Sequence, residues 1–163
     1  MATDDPLLII SGTPRSGTTR MAAFCSAMSN TVYPHWTGSN SDGGLEDPWI
    51  AKINEGIIKD EWPESEFSKD ISGYKHRVLK LPQFVTYGDS KPIEMWFKYR
   101  PKLRLLLMVR DVEQVAHSMQ ANNMKTLADN PNDAAKILET QLEEFCKTVV
   151  RLGIPFQLSL IHI

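Results

Sequence analysis

Short apolar runs alternate along this chain with stretches whose apolar positions recur every three or four residues. Leu7 to Ile10 is a continuous apolar run and predicts a buried strand. After the loop Ser11 to Thr19, the positions Met21, Ala22, Phe24, Cys25 and Met28 fit one face of a helix over about Gly17–Ser29. Residues 30–46, NTVYPHWTGSNSDGGLE, are turn formers with few core residues and read as a long loop. Asp47 as N-cap and Pro48 at the first helical position open a helix with Trp49, Ile50, Ile53, Ile57 and Ile58 on its apolar side. Residues 60–74 are charged and serine-rich, and read as a surface connection.

Val78 and Leu79 read as a second inner strand ending at Lys80-Leu81-Pro82. Ile93–Tyr99 reads as a helix stopped by Pro101, with Trp96 and Phe97 as core or a packing shelf. Leu103–Val109, LRLLLMV, is the strongest strand, with the near-continuous apolar character of a parallel sheet covered on both faces. Asp111 caps a helix over Val112–Asn122 carrying Val112, Val115, Ala116 and Met119 at helical spacing. A long amphipathic helix, Asp133–Leu152, presents Ala135, Leu138, Leu142, Phe145, Cys146, Val149 and Leu152 and is capped by Gly153; a last strand spans Ile154–Ile163.

Strands alternating with helices predict a three-layer α/β domain around a central parallel sheet. Ligands of such sheets bind beyond the carboxyl ends of the strands. Gly12–Thr19, Lys80 and Arg110 each follow a predicted strand directly, so they are expected to meet on one rim.

Composition narrows this picture by exclusion. The 163 residues are enough for one domain, with 42% apolar and 23% charged residues and a formal net charge of −2. Nothing in that balance calls for nucleic acid as a partner. No apolar run approaches the ~20 residues that cross a bilayer. The acidic start MATDDP lacks a signal-peptide n-region, so a cytoplasmic location is expected. Cys25 and Cys146 both fall in helical apolar patterns and read as small core residues in a reducing compartment. No metal-ligand spacing is present.

The candidate chemistry lies in the first loop. Gly12 and Gly17 fill the glycine positions of the phosphate-binding pattern G-x-x-x-x-G-K-[ST], and Thr19 fills the hydroxyl position. Thr18 stands where the lysine belongs, which argues against ordinary ATP or GTP hydrolysis. Arg15 lies inside the loop instead, a permanent cation able to hold two anionic oxygens in a fork. A strand, such a loop and a helix start together make an anion site. Arg110 ends the strongest strand, and Ser118 follows eight residues later, a little over two helical turns on. An arginine and a hydroxyl so placed suit a second phosphate; taken alone, they read rather as Arg110 in a surface bridge with Asp111 or another carboxylate and a solvated Ser118.

Taken together, the two stretches resemble the sulfotransferases that use 3′-phosphoadenosine 5′-phosphosulfate. Thr13-Pro14-Arg15-Ser16-Gly17-Thr18-Thr19 resembles that family's loop for the 5′-phosphosulfate, and Leu106 to Asp111 with Ser118 resembles its 3′-phosphate segment. Val78-Leu79-Lys80-Leu81-Pro82 is similar to the strand whose lysine lies near the transferred group. Glu46, in Gly44-Leu45-Glu46-Asp47-Pro48-Trp49, is similar to the acidic position that serves as base in several carbohydrate-type members. Other members use a histidine near the lysine, and here His76 lies four residues before Lys80.

The resemblance implies a P-loop NTPase-like fold and sulfuryl transfer to a hydroxyl or amine of a small-molecule or carbohydrate acceptor, with no metal. Arg15, Lys80 and Glu46 would be catalytic. Arg15, Ser16, Gly17, Thr18, Thr19, Arg110 and Ser118 would bind the donor. Tyr33, His35 and Trp36 of the long loop would line the acceptor pocket, while His117 reads as solvated. Val112 stands where the family often has proline. The family's late glycine-rich basic segment has no counterpart before Ile163, so a C-terminally truncated single domain over 1–163 is expected. Two other classes stay open: a P-loop kinase or NTPase with Asp111 on Mg²⁺, and a nucleotide-binding module that has lost its chemistry.

Overall fold

The computed structural model describes residues 6–28, 48–72, 77–81, 83–86, 88–121 and 128–161. Four strands, β1 (Leu7–Gly12), β2 (Val78–Lys80), β3 (Leu103–Arg110) and β4 (Phe156–Ile161), form one sheet in the order β2-β1-β3-β4. Every neighbouring pair is parallel, so all four strands end on one rim. Ile10 is level with Lys80, and Gly12 with Met108. The seven described helices are α1 (Thr18–Met28), α2 (Pro48–Ile58), α3 (Glu64–Ser72), α4 (Gln83–Thr86), α5 (Lys91–Tyr99), α6 (Val112–Ala121) and α7 (Pro131–Leu152).

The alternation of side chains along a strand splits the core between the two faces of the sheet. One face turns Leu7, Ile9, Leu79, Leu103, Leu105 and Leu107 toward residues of α2, α3, α4, α5 and α7. Its largest member, Trp96, is fully buried, meets Phe67 edge-on at 5.7 Å and donates its indole N–H to Asn54 Oδ1 at 2.9 Å. The opposite face turns Ile10, Val78 and Met108 toward Ala22, Met21 and Cys25 of α1. α6 lies on α7 through Val115, Met119 and Leu138. The three-layer parallel architecture read from the sequence is thus present, with most of the described helices on one side.

Several boundaries and one element differ from the sequence reading. Residues 60–74 are not merely a surface connection, because they contain α3, whose Phe67 and Ile71 are fully buried. Two apolar residues four apart suffice to dock a helix this short. α7 starts at Pro131, with Asn130 accepting from the Asp133 N–H at 2.9 Å as the cap. Gly153 ends it in the left-handed conformation at φ 67°, as its position suggested. α1 buries Thr18, Ala22 and Ser26, while Phe24 and Met28 are exposed at 62% and 75%. Small residues let that helix approach the sheet, and the larger side chains turn outward. Cys25 and Cys146 are half-buried rather than enclosed, and burial pushes both thiols above their ordinary pKa.

Candidate active site

The loop leaving β1 is shaped by a close backbone approach. A Cβ on Gly12 would lie 2.0 Å from the Met108 carbonyl oxygen, so no other residue fits where β1 passes β3. Thr13 N–H donates to that same carbonyl at 3.2 Å, and Ser16 N–H donates to Thr13 O at 3.2 Å, closing the turn. Gly17 follows at φ 78°, and its carbonyl accepts from Met21 N–H at 3.1 Å as α1 begins. Arg15, between them, holds the left-handed conformation at φ 61° although it carries a side chain. Strain of this kind concentrates where a ligand is gripped. The hydroxyls of Ser11, Thr13 and Ser16 are fully buried and without a hydrogen-bond partner.

Two cations stand at this loop, Lys80 from the end of β2 and Arg15 within the loop itself. Lys80, the last residue of β2, is 2% exposed, and its ammonium donates to Thr19 Oγ1 at 2.8 Å. It points to the α1 side of the sheet because it stands level with Ile10, which faces that helix. Arg15 is exposed, and its Nε donates to Ser118 Oγ at 3.4 Å. The residue read as part of a second phosphate site thus touches the first loop. The loop, Lys80 and Arg110 do meet on one rim, as the strand ends predicted.

Arg110 is placed differently. It ends β3, half-buried, and its Nε and Nη2 both donate to Gln114 Oε1, at 3.3 and 3.2 Å. Gln114 N–H in turn donates to Asp111 Oδ1 at 2.9 Å, so Asp111 caps α6 as expected. Ser118 lies a little over two turns into α6, and its hydroxyl accepts from Arg15 Nε. His117 is exposed. Glu46, the loop residues Tyr33, His35 and Trp36, and His76 lie outside the described residues. Among the described residues no three His, Cys, Asp or Glu side chains gather as a metal-ligand set, and no helix is long and apolar enough to cross a membrane.

Gln114 escaped the sequence reading, although its signal was present. Asp111 and Gln114 have the spacing of a capping box, D-x-x-Q, whose third helical residue characteristically reaches back toward the cap. The contact between Thr19 and Lys80 had no local signal, because 61 residues separate them.

Comparison with solved structures sets the architecture in context. The chain is similar to the sulfotransferase domain of the Synechococcus PCC 7002 olefin synthase, at 15% identity and a TM-score of 0.58, covering 98% of this chain and 67% of that one. It is similar to a sulfotransferase from Alicyclobacillus acidocaldarius at 13% identity and a TM-score of 0.52, covering 97% and 74%. A shikimate kinase from Acinetobacter baumannii, solved with shikimate, is similar at 11% identity and a TM-score of 0.51, covering 98% and 84%. At these identities the likeness speaks for a shared fold, and that fold serves both sulfotransferases and kinases. No curated protein sequence matches the chain. A family model described as a sulfotransferase domain does match, over residues 5–158, which takes in the loop, Lys80, Arg110 and Ser118. The chain belongs to the sulfotransferase domain family.

Proposed function

We propose that this protein moves a sulfuryl group from 3′-phosphoadenosine 5′-phosphosulfate to a hydroxyl or amine of a small-molecule or carbohydrate acceptor. The observation that carries this reading is that Arg15, Lys80 and Arg110, read as holding two separate anionic groups, stand on one rim of the sheet. Lys80 and Arg15 stand at the β1–α1 loop, and Arg110 stands at the end of the neighbouring strand. A nucleotide with phosphates on both the 3′ and 5′ sides of its ribose suits such an arrangement.

In the reaction, the acceptor oxygen or nitrogen attacks sulfur as the bond from sulfur to the 5′-phosphate oxygen breaks. Adenosine 3′,5′-bisphosphate leaves with the bonding pair, and the acceptor proton passes to a base. Negative charge grows on the oxygen that had bridged sulfur and phosphorus. Fixed donors aimed at that oxygen lower the barrier. Arg15, Lys80 and the N–H groups from Ser16 to Thr19 fill this role. Burial of Lys80 strengthens its part, because a charge acts more strongly where water is excluded. Arg110 and Ser118 hold the 3′-phosphate and so position the donor. Glu46 is the candidate base, on its resemblance to the acidic position of carbohydrate-type members.

Calorimetric titration with adenosine 3′,5′-bisphosphate, beside ATP with Mg²⁺, tests the reading. Metal-independent binding of the bisphosphate, weakened in Arg110→Ala, is the expected result. Binding of ATP that requires Mg²⁺ and ignores Arg110 would overturn it in favour of a kinase, a function the shared fold also accommodates. Bisphosphate binding without sulfate transfer to any acceptor in a broad screen would point to a binding module.

A further inference from the structure

We propose that Gln114 is a positioning residue for Arg110, and that its neutral amide tunes the protein's preference for nucleotides carrying a 3′-phosphate. The inference rests on the reading that Arg110 holds that phosphate. Gln114 Oε1 takes the Nε–Nη2 edge of the guanidinium at 3.3 and 3.2 Å. That leaves the Nη1–Nη2 edge as the fork for an anion. Arg110 is half-buried at the end of β3 and Gln114 is exposed in the first turn of α6. The amide therefore limits the swing of a long side chain that would otherwise sample many rotamers.

The backbone of Gln114 is itself fixed. Its N–H donates to Asp111 Oδ1 at 2.9 Å, so the capping carboxylate sets the start of α6 and the helix start sets Gln114. The carboxylate of Asp111 is directed at this N–H and the amide at Arg110. This division matters for charge. A glutamate at 114 would grip the guanidinium more strongly, yet would cancel much of the charge that attracts phosphate. A glutamine orients the cation and leaves its charge for the ligand.

The test compares adenosine 3′,5′-bisphosphate with adenosine 5′-monophosphate by calorimetry on the wild-type chain, Q114E and Q114A. The ratio of the two affinities isolates the contribution of the 3′-phosphate. Q114E is expected to lower that ratio about tenfold and Q114A about threefold, with 5′-monophosphate affinity unchanged and the Q114E deficit shrinking as salt is raised. Circular dichroism checks that both variants fold, as substitution of an exposed side chain predicts. Equal losses for both ligands would mean a general structural role and overturn the proposal. A wild-type preference that persists in both variants would overturn it while sparing the functional reading. A wild-type chain that does not prefer the bisphosphate at all would overturn both.

Discussion

The two halves of the candidate site are built by different means. At the β1–α1 loop the contacts come from elsewhere in the chain: Lys80 meets Thr19 across 61 residues, and Ser118 meets the loop's own Arg15 across 103. At the end of β3, Arg110 is steadied by Gln114, four residues on, and Gln114 by Asp111, three residues back. The first half exists only when the sheet has assembled. The second is a local device of one strand end and one helix start. The end proposed to do chemistry thus depends on tertiary structure, and the end proposed to anchor the donor is largely self-contained.

This contrast can be broken most severely at Gly12. Gly12→Ala forces a methyl onto the Met108 carbonyl and is expected to destabilise the fold by upwards of about 3 kcal/mol, read by urea unfolding. A variant as stable as the wild type would show that the strand approach is adjustable. Next, Lys80→Met keeps the buried volume and removes the cation. Sulfate transfer should fall by about 10²–10³-fold in kcat, with donor affinity changing far less. A loss confined to KM would place Lys80 in binding instead.

The anchoring half should answer in the opposite sense. Arg110→Ala is expected to weaken bisphosphate binding by about 10–100-fold, in line with ~1.5–3 kcal/mol for a hydrogen bond to a charged group, and to leave thermal stability nearly unchanged. A large drop in Tm would refute the idea of a self-contained device. Ser118→Ala sits between the halves. It should weaken binding by only about threefold, consistent with ~0.5–1.5 kcal/mol for a neutral hydrogen bond.

The smallest effect belongs to acid, and it lies on the helical flank. Arg151 holds the Glu94 carboxyl below its usual value of 4.5, with help from Ser90, and Lys98 and Tyr99 do the same for Glu64. A lowered folded-state pKa adds stability above the unfolded value and loses it as pH falls through the folded one. Tm should therefore decline modestly below about pH 4.5, and less so in Glu94→Gln. An identical pH profile for that variant would remove Glu94 from the account.

The same division explains what could be read without the structure. β1, β3, α6 and the cap of Gly153 follow from runs, periods and turn chemistry that act over a few residues. The convergence of the loop, Lys80 and Arg110 followed from strand ends alone, because a parallel sheet puts them on one rim. α3 was hidden because its charged residues outnumber the two that anchor it, Phe67 and Ile71. The inward face of α1 was misread because Phe24 and Met28 look like core, whereas close packing on the sheet selects Ala22 and Ser26. The partners of Lys80 and Arg15 are long-range contacts, and periodicity carries no information about them.

Arg15 shows what the loop gives up for its charge. A residue with a side chain held at φ 61° sits about 1–2 kcal/mol above its preferred conformations, whereas glycine adopts this one freely. Arg15→Gly should consequently cost little or nothing in stability, even as it removes a cation from the proposed transition state. Selection for robustness alone would favour glycine at this position. Its occupation by arginine marks a point where durability and turnover pull in opposite directions, and where a thermostabilised version of this protein would be the easiest to make and the least useful to have.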